Sequence, residues 1–140
     1  MLEQMKSVLE KKGYAVTVFE TAEQAKELNI RDGCEFGPVL IMNGVVNQEA
    51  HNANSGYNPR TAIGQRSDGA VLLLVIDGRQ VSSLGATYQD LVDVMLSYGA
   101  VNACNLDGGS SSIMYYEGKY LNNGVAVTGS RKIPTAIVVR

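Results

Sequence analysis

The sequence predicts an α/β (α+β) domain in which a mixed parallel and antiparallel sheet is flanked by helices. Val71–Ile76 is apolar without polar alternation, which is typical of a central strand covered on both faces. Residues 87–98 carry an apolar stripe at helical spacing and precede Gly99, so a helix is expected there. Residues 101–106 form the next predicted strand. A strand–helix–strand unit of about thirty residues has the length of a right-handed parallel crossover.

Three elements are predicted near the start of the chain. Apolar residues recur at helical spacing over residues 2–9 and precede Gly13, which predicts a helix with a glycine cap. Residues 14–19 alternate like a strand. Thr21 and Gln24 have the spacing of a capping box, so a second helix is expected up to about residue 28.

A hairpin, a loop and two strands are predicted over residues 38–76. Asn43-Gly44 separates two short apolar runs within residues 38–46, and this dipeptide is a strong signal of a tight hairpin. Residues 47–58 are rich in Asn, Ser and Gly, which indicates an exposed loop long enough to favour a functional role. Strands over 60–66 and 70–76 are expected to join at a turn over residues 67–69.

Short strands are also predicted towards the end of the chain, over residues 113–116, 119–121 and 133–139. The sequence contains no internal repeat and no low-complexity tract. We therefore expect residues 1–140 to form a single domain, because a chain of this length can bury a hydrophobic core of its own.

Charge and composition exclude several classes of function. The 12 basic and 14 acidic residues give a formal net charge of −2, which leaves no electrostatic footprint for nucleic acid or an anionic membrane. The longest apolar run, residues 70–76, is far shorter than the ~20 residues of a membrane-spanning helix. The expected partner is a small molecule or a glycan, with no nucleic acid and no transmembrane segment.

The cysteines and the histidine do not predict a metal site. Cys34, Cys104 and His51 are too few for a structural zinc ion. Both cysteines are expected as buried thiols, with a disulfide as the alternative in an oxidising compartment. No cofactor is predicted. Residues 1–12 are amphipathic and lack the apolar centre of a signal peptide.

The densest polar cluster, residues 105–112 (NLDGGSSS), begins at the end of the predicted strand over 101–106. Glycines allow the backbone to turn sharply, so that successive N–H groups and serine hydroxyls can surround an anion. The carboxylate of Asp107 beside such a turn suits acid–base or nucleophilic chemistry near a phosphate. A tight turn with polar caps is the structural alternative.

Asp77 follows the preceding predicted strand and is itself followed by Gly78 and Arg79. Asp-Gly alone is ordinary turn chemistry. Neighbouring strands lie ~4.8 Å apart, so Asp77 and Asp107 are expected at one edge of the sheet, facing a shared cleft. Their carboxyl groups would then lie within the separation of paired glycosidase carboxylates.

Two arginines are predicted to bind phosphate. Arg60 follows Asn58-Pro59, and Arg131 follows a Gly-Ser pair. Arginine presents a planar fork of donors that suits bidentate phosphate binding. We expect both guanidinium groups to converge with the backbone of residues 108–111. His51 is a weaker candidate, because a histidine in a polar loop is usually exposed to solvent.

Four segments in this order resemble the phosphodiester glycosidase domain family. They are residues 58–64 (NPRTAIG), 73–79 (LLVIDGR), 102–112 (NACNLDGGSSS) and 130–139 (SRKIPTAIVV). The resemblance covers residues 33–140, which are expected to form the family core. The positions that match the polar signature of the family are Arg60, Asp77, Gly78, Asn105, Asp107, Gly108, Gly109, Ser110 and Arg131.

The resemblance implies hydrolysis of a glycosidic bond to phosphate or, as in bacterial relatives, action on an envelope or exopolysaccharide glycan. Asp107 and Asp77 are the expected catalytic carboxylates. The residues expected to contact the substrate or its phosphate are Arg60, Arg131, Asn105, Gly108, Gly109, Ser110, Ser111, Arg79 and Asn58.

Family members usually begin with a segment resembling INGGYF, whereas this chain begins with the elements predicted over residues 2–28. An N-terminally shortened version of the domain is therefore expected. The segment over residues 122–130 is also shorter than the substrate loop of the family. A location outside the cell or in the cell envelope is expected if the domain is part of a longer secreted chain.

Two other functions compete with the enzyme. One is a glycan- or phosphate-binding module that keeps the fold without turnover. The other is a nucleotide-binding domain. It is the weaker alternative, because neither G-x-G-x-x-G nor a P-loop lysine pattern occurs. The sequence leaves open the sugar, the anomeric outcome, the oligomeric state and which aspartate acts as the acid.

Overall fold

A computed structural model describes residues 36–122, 132–133 and 136–139 of the chain. The chain divides into two compact units, residues 1–35 and 36–140. The elements predicted over residues 2–28, Cys34 and Arg131 lie outside the described residues. The expectation of one domain over residues 1–140, with a family core over 33–140, stays a prediction.

The described residues of the second unit form a five-stranded sheet, a separate hairpin and two helices. The sheet is formed by β1 (Val39–Met42), β2 (Val45–Val46), β3 (Arg60–Arg66), β4 (Val71–Ile76) and β5 (Ala100–Leu106), in the order β2–β1–β5–β3–β4. The hairpin pairs β6 (Tyr115–Tyr116) with β7 (Lys119–Tyr120). The helices are α1 (Gln48–Asn52) and α2 (Tyr88–Ser97), and a 3₁₀ turn, Gly109–Ser111, follows β5.

The predicted parallel strands and their crossover are wrong, because every described strand pair is antiparallel. β3 lies between β4 and β5 and pairs with both, with Arg60 opposite Ile76 and Thr61 opposite Leu106. The number of residues between β4 and β5 cannot reveal that β3, which comes earlier in the chain, lies between them in the sheet. Since β4 and β5 both run antiparallel to β3, they finish at the same end of the sheet, beside the start of β3.

β4 is the outermost strand of the described sheet and not the central, doubly covered strand that was predicted. Leu72 and Leu74 pack against the core. On the other face Val71 and Leu73 are 59% and 41% exposed. An apolar run without alternation therefore does not distinguish a central strand from an outer strand whose two faces are both apolar.

The core lies between one face of the sheet and the two helices. Its buried members are Leu40, Ile41, Ala50, Ala62, Leu91, Val92, Met95, Ala100 and Ala103. Each large apolar side chain buried in this way contributes about 1.5–3 kcal/mol. α2 begins at the capping box of Thr87 and Asp90 and ends shortly before Gly99, as predicted. No helix among the described residues is long and apolar enough to cross a membrane.

In the remaining segments, some predicted elements are confirmed and others are wrong. The hairpin at Asn43-Gly44 is confirmed, and both turn residues have positive φ. Residues 47–58 are not wholly an exposed loop, because α1 forms there and buries Ala50. The strand predicted over 113–116 is limited to Tyr115–Tyr116. The described positions 133 and 136–139 lie in no strand, so the strand predicted over 133–139 is not seen.

Candidate functional site

The backbone of Pro59, just before β3, lies between the two segments that carry the aspartates. A Cβ atom at Gly78 would lie 2.7 Å from the nitrogen of Pro59, and one at Gly108 would lie 2.7 Å from its oxygen. Neither position has space for a side chain, so each requires glycine. The backbone N–H of Gly109 also donates to the Pro59 carbonyl at 2.8 Å. The two Asp-Gly dipeptides therefore allow three chain segments to pack backbone against backbone.

Asp77 and Asp107 follow β4 and β5 at the same end of the sheet, on opposite sides of β3. Because β3 intervenes, the two strand axes are about 10 Å apart, which is twice the ~4.8 Å spacing of neighbouring strands. The sequence argument assumed adjacent strands, and that part of it is wrong. The shared cleft between the two carboxyl groups stays a prediction.

Asp77 is held by two side chains from other segments. The side-chain amide of Asn122 donates from Nδ2 to Oδ1 of Asp77 at 2.9 Å. The hydroxyl of Ser83 donates to the backbone carbonyl of Asp77 at 2.6 Å. Both the carboxyl group and the backbone of this residue are therefore fixed by side chains beyond the end of β4.

Asn122 connects the segments of the two aspartates. Its Nδ2 also donates to the carbonyl of Ser112 at 2.8 Å, and its Oδ1 accepts from the N–H of Met114 at 2.7 Å. The sequence analysis did not select Asn122, because it lies in an Asn-Asn-Gly run typical of an ordinary turn. No local signal marks it, since its role depends on a partner 45 positions away.

Asp107 is bound to the turn that follows it. The hydroxyl of Ser111 donates to Oδ2 of Asp107 at 2.7 Å. The N–H groups of Gly109 and Ser111 donate to backbone carbonyls of Pro59 and Gly108. Two of the four donors predicted to surround an anion are thus occupied. Among the described residues, the N–H groups of Gly108 and Ser110 donate to no protein acceptor.

Arg79 was predicted to contact phosphate, and its side chain lies beside this turn. Its guanidinium nitrogens Nη1 and Nη2 lie 3.7 and 3.9 Å from the position that a Cβ would occupy at Gly109. Nη2 donates to Oδ1 of Asn58 at 2.7 Å. The side chain is exposed, and the backbone of Arg79 has a φ of +57°. Such a conformation costs a residue other than glycine about 1–2 kcal/mol, so it is held in place by its surroundings.

Arg60 is instead buried, with 8% of its surface exposed. Its Nε donates to the carbonyl of Ala86, and its Nη2 donates to the carbonyls of Ser55 and Gly56, all at 2.9–3.0 Å. The guanidinium carbon lies 4.4 Å from the centre of the Tyr88 ring. Three of the five donors of this arginine therefore hold the loop before β3 and the start of α2. Its phosphate contact stays a prediction.

The other selected residues lie in different surroundings. Asn105 is buried and donates from Nδ2 to the carbonyl of Gly37 at 2.7 Å. Its Oδ1 is buried and has no hydrogen-bond partner in the part of the chain that the structure describes. His51 lies on α1, where Nδ1 is 3.2 Å from Oδ1 of Asn52. No described contact joins His51 to Asp77 or Asp107.

The site as described combines three features at one end of the sheet. These are two aspartates fixed by neighbouring side chains, a glycine turn with two available N–H groups, and an exposed guanidinium group beside that turn. The family model for phosphodiester glycosidases matches residues 4–140. The chain belongs to the phosphodiester glycosidase family.

Relatives of the family extend the comparison. A prophage-derived uncharacterized protein of Bacillus subtilis, YomE, is 52% identical over 66 residues, which are 47% of this chain and 10% of that protein. A putative exported protein from Burkholderia pseudomallei has a similar structure, with a TM-score of 0.52 and 43% identity, over 54% of this chain and 15% of the other. The chain therefore spans a small part of the length of these relatives.

The fold is also similar to the catalytic domain of zebrafish N-acetylglucosamine-1-phosphodiester alpha-N-acetylglucosaminidase, auto-inhibited by its pro-peptide. The TM-score is 0.50 at 21% identity, over 68% of this chain and 38% of that structure. At this identity the similarity concerns the fold.

Proposed function

We propose that this chain provides the carboxylates and phosphate-binding groups of a hydrolase that cleaves the bond between a sugar and a phosphate. The observation that supports this most directly is the guanidinium group of Arg79 beside Gly109, in the turn that follows Asp107. A guanidinium group and backbone N–H groups next to a carboxylate suit a substrate whose phosphate adjoins the cleaved bond.

In this proposal, Arg79 and the N–H groups of Gly108 and Ser110 bind the phosphate oxygens. Negative charge develops on the phosphate as its bond to the anomeric carbon breaks. Donors fixed in advance stabilise that charge without having to reorganise, which is a large term in such reactions. Arg131 is the second cation expected there.

Asp77 and Asp107 divide the remaining chemistry between them. One carboxyl group acts as the acid, and the other acts as the base or nucleophile, as in other glycosidases with paired carboxylates. Arg60 acts indirectly in this proposal. It holds the backbone around Ser55 and Gly56, and thereby supports Asn58, which binds Arg79.

The sugar and the location are proposed by analogy with relatives. The zebrafish enzyme is named for an N-acetylglucosamine-1-phosphodiester, so we propose this class of diester as the first substrate to test. A glycan of the cell envelope or an exopolysaccharide is the corresponding substrate in a bacterium. The exported Burkholderia relative favours a site of action outside the cytoplasm.

Release of sugar from a panel of sugar-1-phosphodiesters by the purified 140-residue chain tests the proposal. We expect a free reducing sugar and a phosphomonoester in equal amounts, detected by ion-exchange chromatography. The Asp107→Asn variant should release at least ~100-fold less, because a positioned acid or base typically contributes 10²- to 10⁴-fold. If the folded wild-type chain releases sugar from none of these diesters, the proposed activity is refuted.

A non-catalytic glycan- or phosphate-binding module is the second candidate. It is favoured by one observation, namely that the carboxylates of Asp77 and Asp107 both accept hydrogen bonds from neighbouring side chains, as carboxylates in structural turns do. Such a module binds the diesters without releasing sugar, and its affinity does not depend on whether residue 107 is Asp or Asn. Equilibrium binding measured beside turnover separates the two functions.

A further inference from the structure

The hairpin of β6 and β7 carries a group of exposed tyrosines. Tyr115 and Tyr120 are directly opposite each other in the pairing register, so they share one face. Their rings contact edge to face, with centroids 5.3 Å apart and planes at 70°. They are 62% and 65% exposed. Two large rings are therefore held in a fixed arrangement in contact with water.

This hairpin is joined to the candidate site at its base. The N–H of Leu121 donates to the carbonyl of Met114 at 2.9 Å, which closes the hairpin. The next residue, Asn122, donates to the carboxylate of Asp77. On the other side, three residues separate the hairpin from the end of the 3₁₀ turn, Gly109–Ser111. The tyrosines thus extend from the same short segment that holds the two aspartates.

The size of the tyrosine face argues against a second protein as its partner. Two rings of about 200 Å² each, each less than two-thirds exposed, offer roughly 250 Å². A stable protein interface needs about 800 Å² from each partner. The opposite face of the hairpin carries Tyr116 paired with Lys119, and is therefore more polar. A ligand of the size of one or two sugar rings matches the available area.

The chemistry of tyrosine also suits a sugar. One face of a pyranose ring presents C–H groups that pack against an aromatic ring, while its hydroxyls remain at the edge. Tyrosine combines an apolar ring with a hydroxyl that can exchange hydrogen bonds with such groups. Since the rings already contact each other, little side-chain entropy is lost when a ligand binds.

We propose that the face formed by Tyr115 and Tyr120 binds a neutral sugar ring of the substrate, adjacent to the sugar–phosphate bond held by Asp77, Arg79 and Asp107. The inference rests on the proposed function for its position in the substrate. It specifies that the substrate is an oligosaccharide or polysaccharide, and not a single sugar esterified to a small alcohol.

The test compares two probes by calorimetric titration of the Asp107→Asn chain, in which turnover is suppressed. The short probe is the methyl diester of N-acetylglucosamine 1-phosphate, and the long probe is the corresponding maltotriosyl diester. We expect the long probe to bind at least about tenfold more tightly, which corresponds to ~1.4 kcal/mol. Replacing both tyrosines, Tyr115→Ala with Tyr120→Ala, should remove this advantage.

Two further variants control for the structure of the hairpin. Tyr115→Phe with Tyr120→Phe keeps both rings and should retain most of the advantage of the long probe. Tyr98→Ala removes a tyrosine of similar exposure at the end of α2, and should retain all of it. Equal binding of the two probes by the Asp107→Asn chain would overturn the inference, and so would an advantage that survives the double alanine variant in folded protein.

Turnover by the wild-type chain separates failure of this inference from failure of the proposed function. Release of sugar from both probes with the same kcat/KM, together with equal binding, refutes the tyrosine site and leaves the hydrolase intact. Tyrosine-dependent binding of the long probe without any release of sugar supports the tyrosine site and refutes the hydrolase.

Discussion

The side-chain amide of Asn122 donates to the carboxylate of Asp77 across 2.9 Å, although the two residues are 45 positions apart. The same amide nitrogen donates to the carbonyl of Ser112, five positions after Asp107. Asn122 therefore fixes the distance between the segments that follow β4 and β5. A residue with no acid–base chemistry of its own determines where one of the proposed catalytic groups lies.

Replacement of Asn122 should impair turnover more than binding. Asn122→Ala removes three hydrogen bonds, one of them to the carboxylate of Asp77. Displacement of a reacting group by about 1 Å can cost ~100-fold in rate. We expect kcat to fall by about 10- to 100-fold, with KM changed by less than about threefold. Steady-state kinetics on a sugar-1-phosphodiester give both values.

A matched asparagine serves as the control. Asn102 accepts a hydrogen bond from the N–H of Asn43 at 2.9 Å, at the other end of the sheet. Asn102→Ala removes this hydrogen bond far from both aspartates and should leave kcat unchanged. If both variants reduce kcat in proportion to their loss of folded protein, Asn122 has only a structural role.

Asp107→Asn should separate catalysis from stability. The substitution keeps the size of the side chain and its ability to accept from Ser111, but removes the negative charge and the transferable proton. We expect an unchanged Tm and a loss of at least ~100-fold in sugar release. Asp93→Asn, on the exposed face of α2, should leave both quantities unaltered. Near-normal turnover of Asp107→Asn would show that Asp107 has only a structural role in the turn.

Gly108→Ala should destabilise the domain through a backbone clash. The added methyl group would lie 2.7 Å from the carbonyl oxygen of Pro59, which cannot move without displacing β3. Overpacking of this kind costs about 1–3 kcal/mol, measurable by urea unfolding. At Gly37 an added Cβ meets nothing within 4 Å, so Gly37→Ala should stay within ~0.5 kcal/mol of wild type. Equal stabilities for the two variants would contradict the close packing at Pro59.

Two substitutions of Arg79 separate its contribution to activity from its effect on stability. Both Arg79→Ala and Arg79→Gly remove the guanidinium group, and both should lose sugar release. Only glycine relieves the backbone strain at a φ of +57°, so Arg79→Gly should be the more stable by about 1 kcal/mol. Thermal unfolding measures the difference. Full activity in either variant would show that the guanidinium group does not bind the substrate.

Arg60→Lys should lower the stability of the domain, unlike the replacement of a residue that only contacts substrate. Lysine cannot donate at once to the carbonyls of Ala86, Ser55 and Gly56 from the guanidinium positions. Loss of buried hydrogen bonds from a charged donor costs about 1.5–3 kcal/mol, so the free energy of unfolding should fall by at least that much. A stable variant with greatly reduced phosphate affinity would instead restore Arg60 as a direct phosphate ligand.

Signals that act over a few residues predicted the local structure well. The apolar stripe of α2 and Gly99 located that helix, and Asn43-Gly44 located the first hairpin, because each signal depends on neighbours in the chain. The order of the strands could not be predicted in the same way. The insertion of β3 between β4 and β5 depends on packing between distant segments, and so does the outer position of Val71–Ile76.

The candidate site shows the same difference between local motifs and contacts of distant segments. The glycine turn and both Asp-Gly dipeptides were evident as motifs, and both aspartates do lie at one end of the sheet. What the sequence could not distinguish was the environment of each arginine. Arg60 follows Asn-Pro and Arg79 follows Asp-Gly, both of them turn-forming pairs. Only the fold places Tyr88 and three carbonyls around the first arginine and leaves the second exposed.

The close contact of Gly78 and Gly108 with Pro59 limits how specificity can change during evolution or in the laboratory. A library that randomises these positions would consist mostly of unfolded variants, because any side chain there must displace a neighbouring backbone. Diversity in recognition has to come from segments that leave this contact untouched. The hairpin from Tyr115 to Tyr120 is one such segment, since its tyrosine side chains extend into solvent. New sugar preferences are therefore best sought there, with the three backbone segments kept constant.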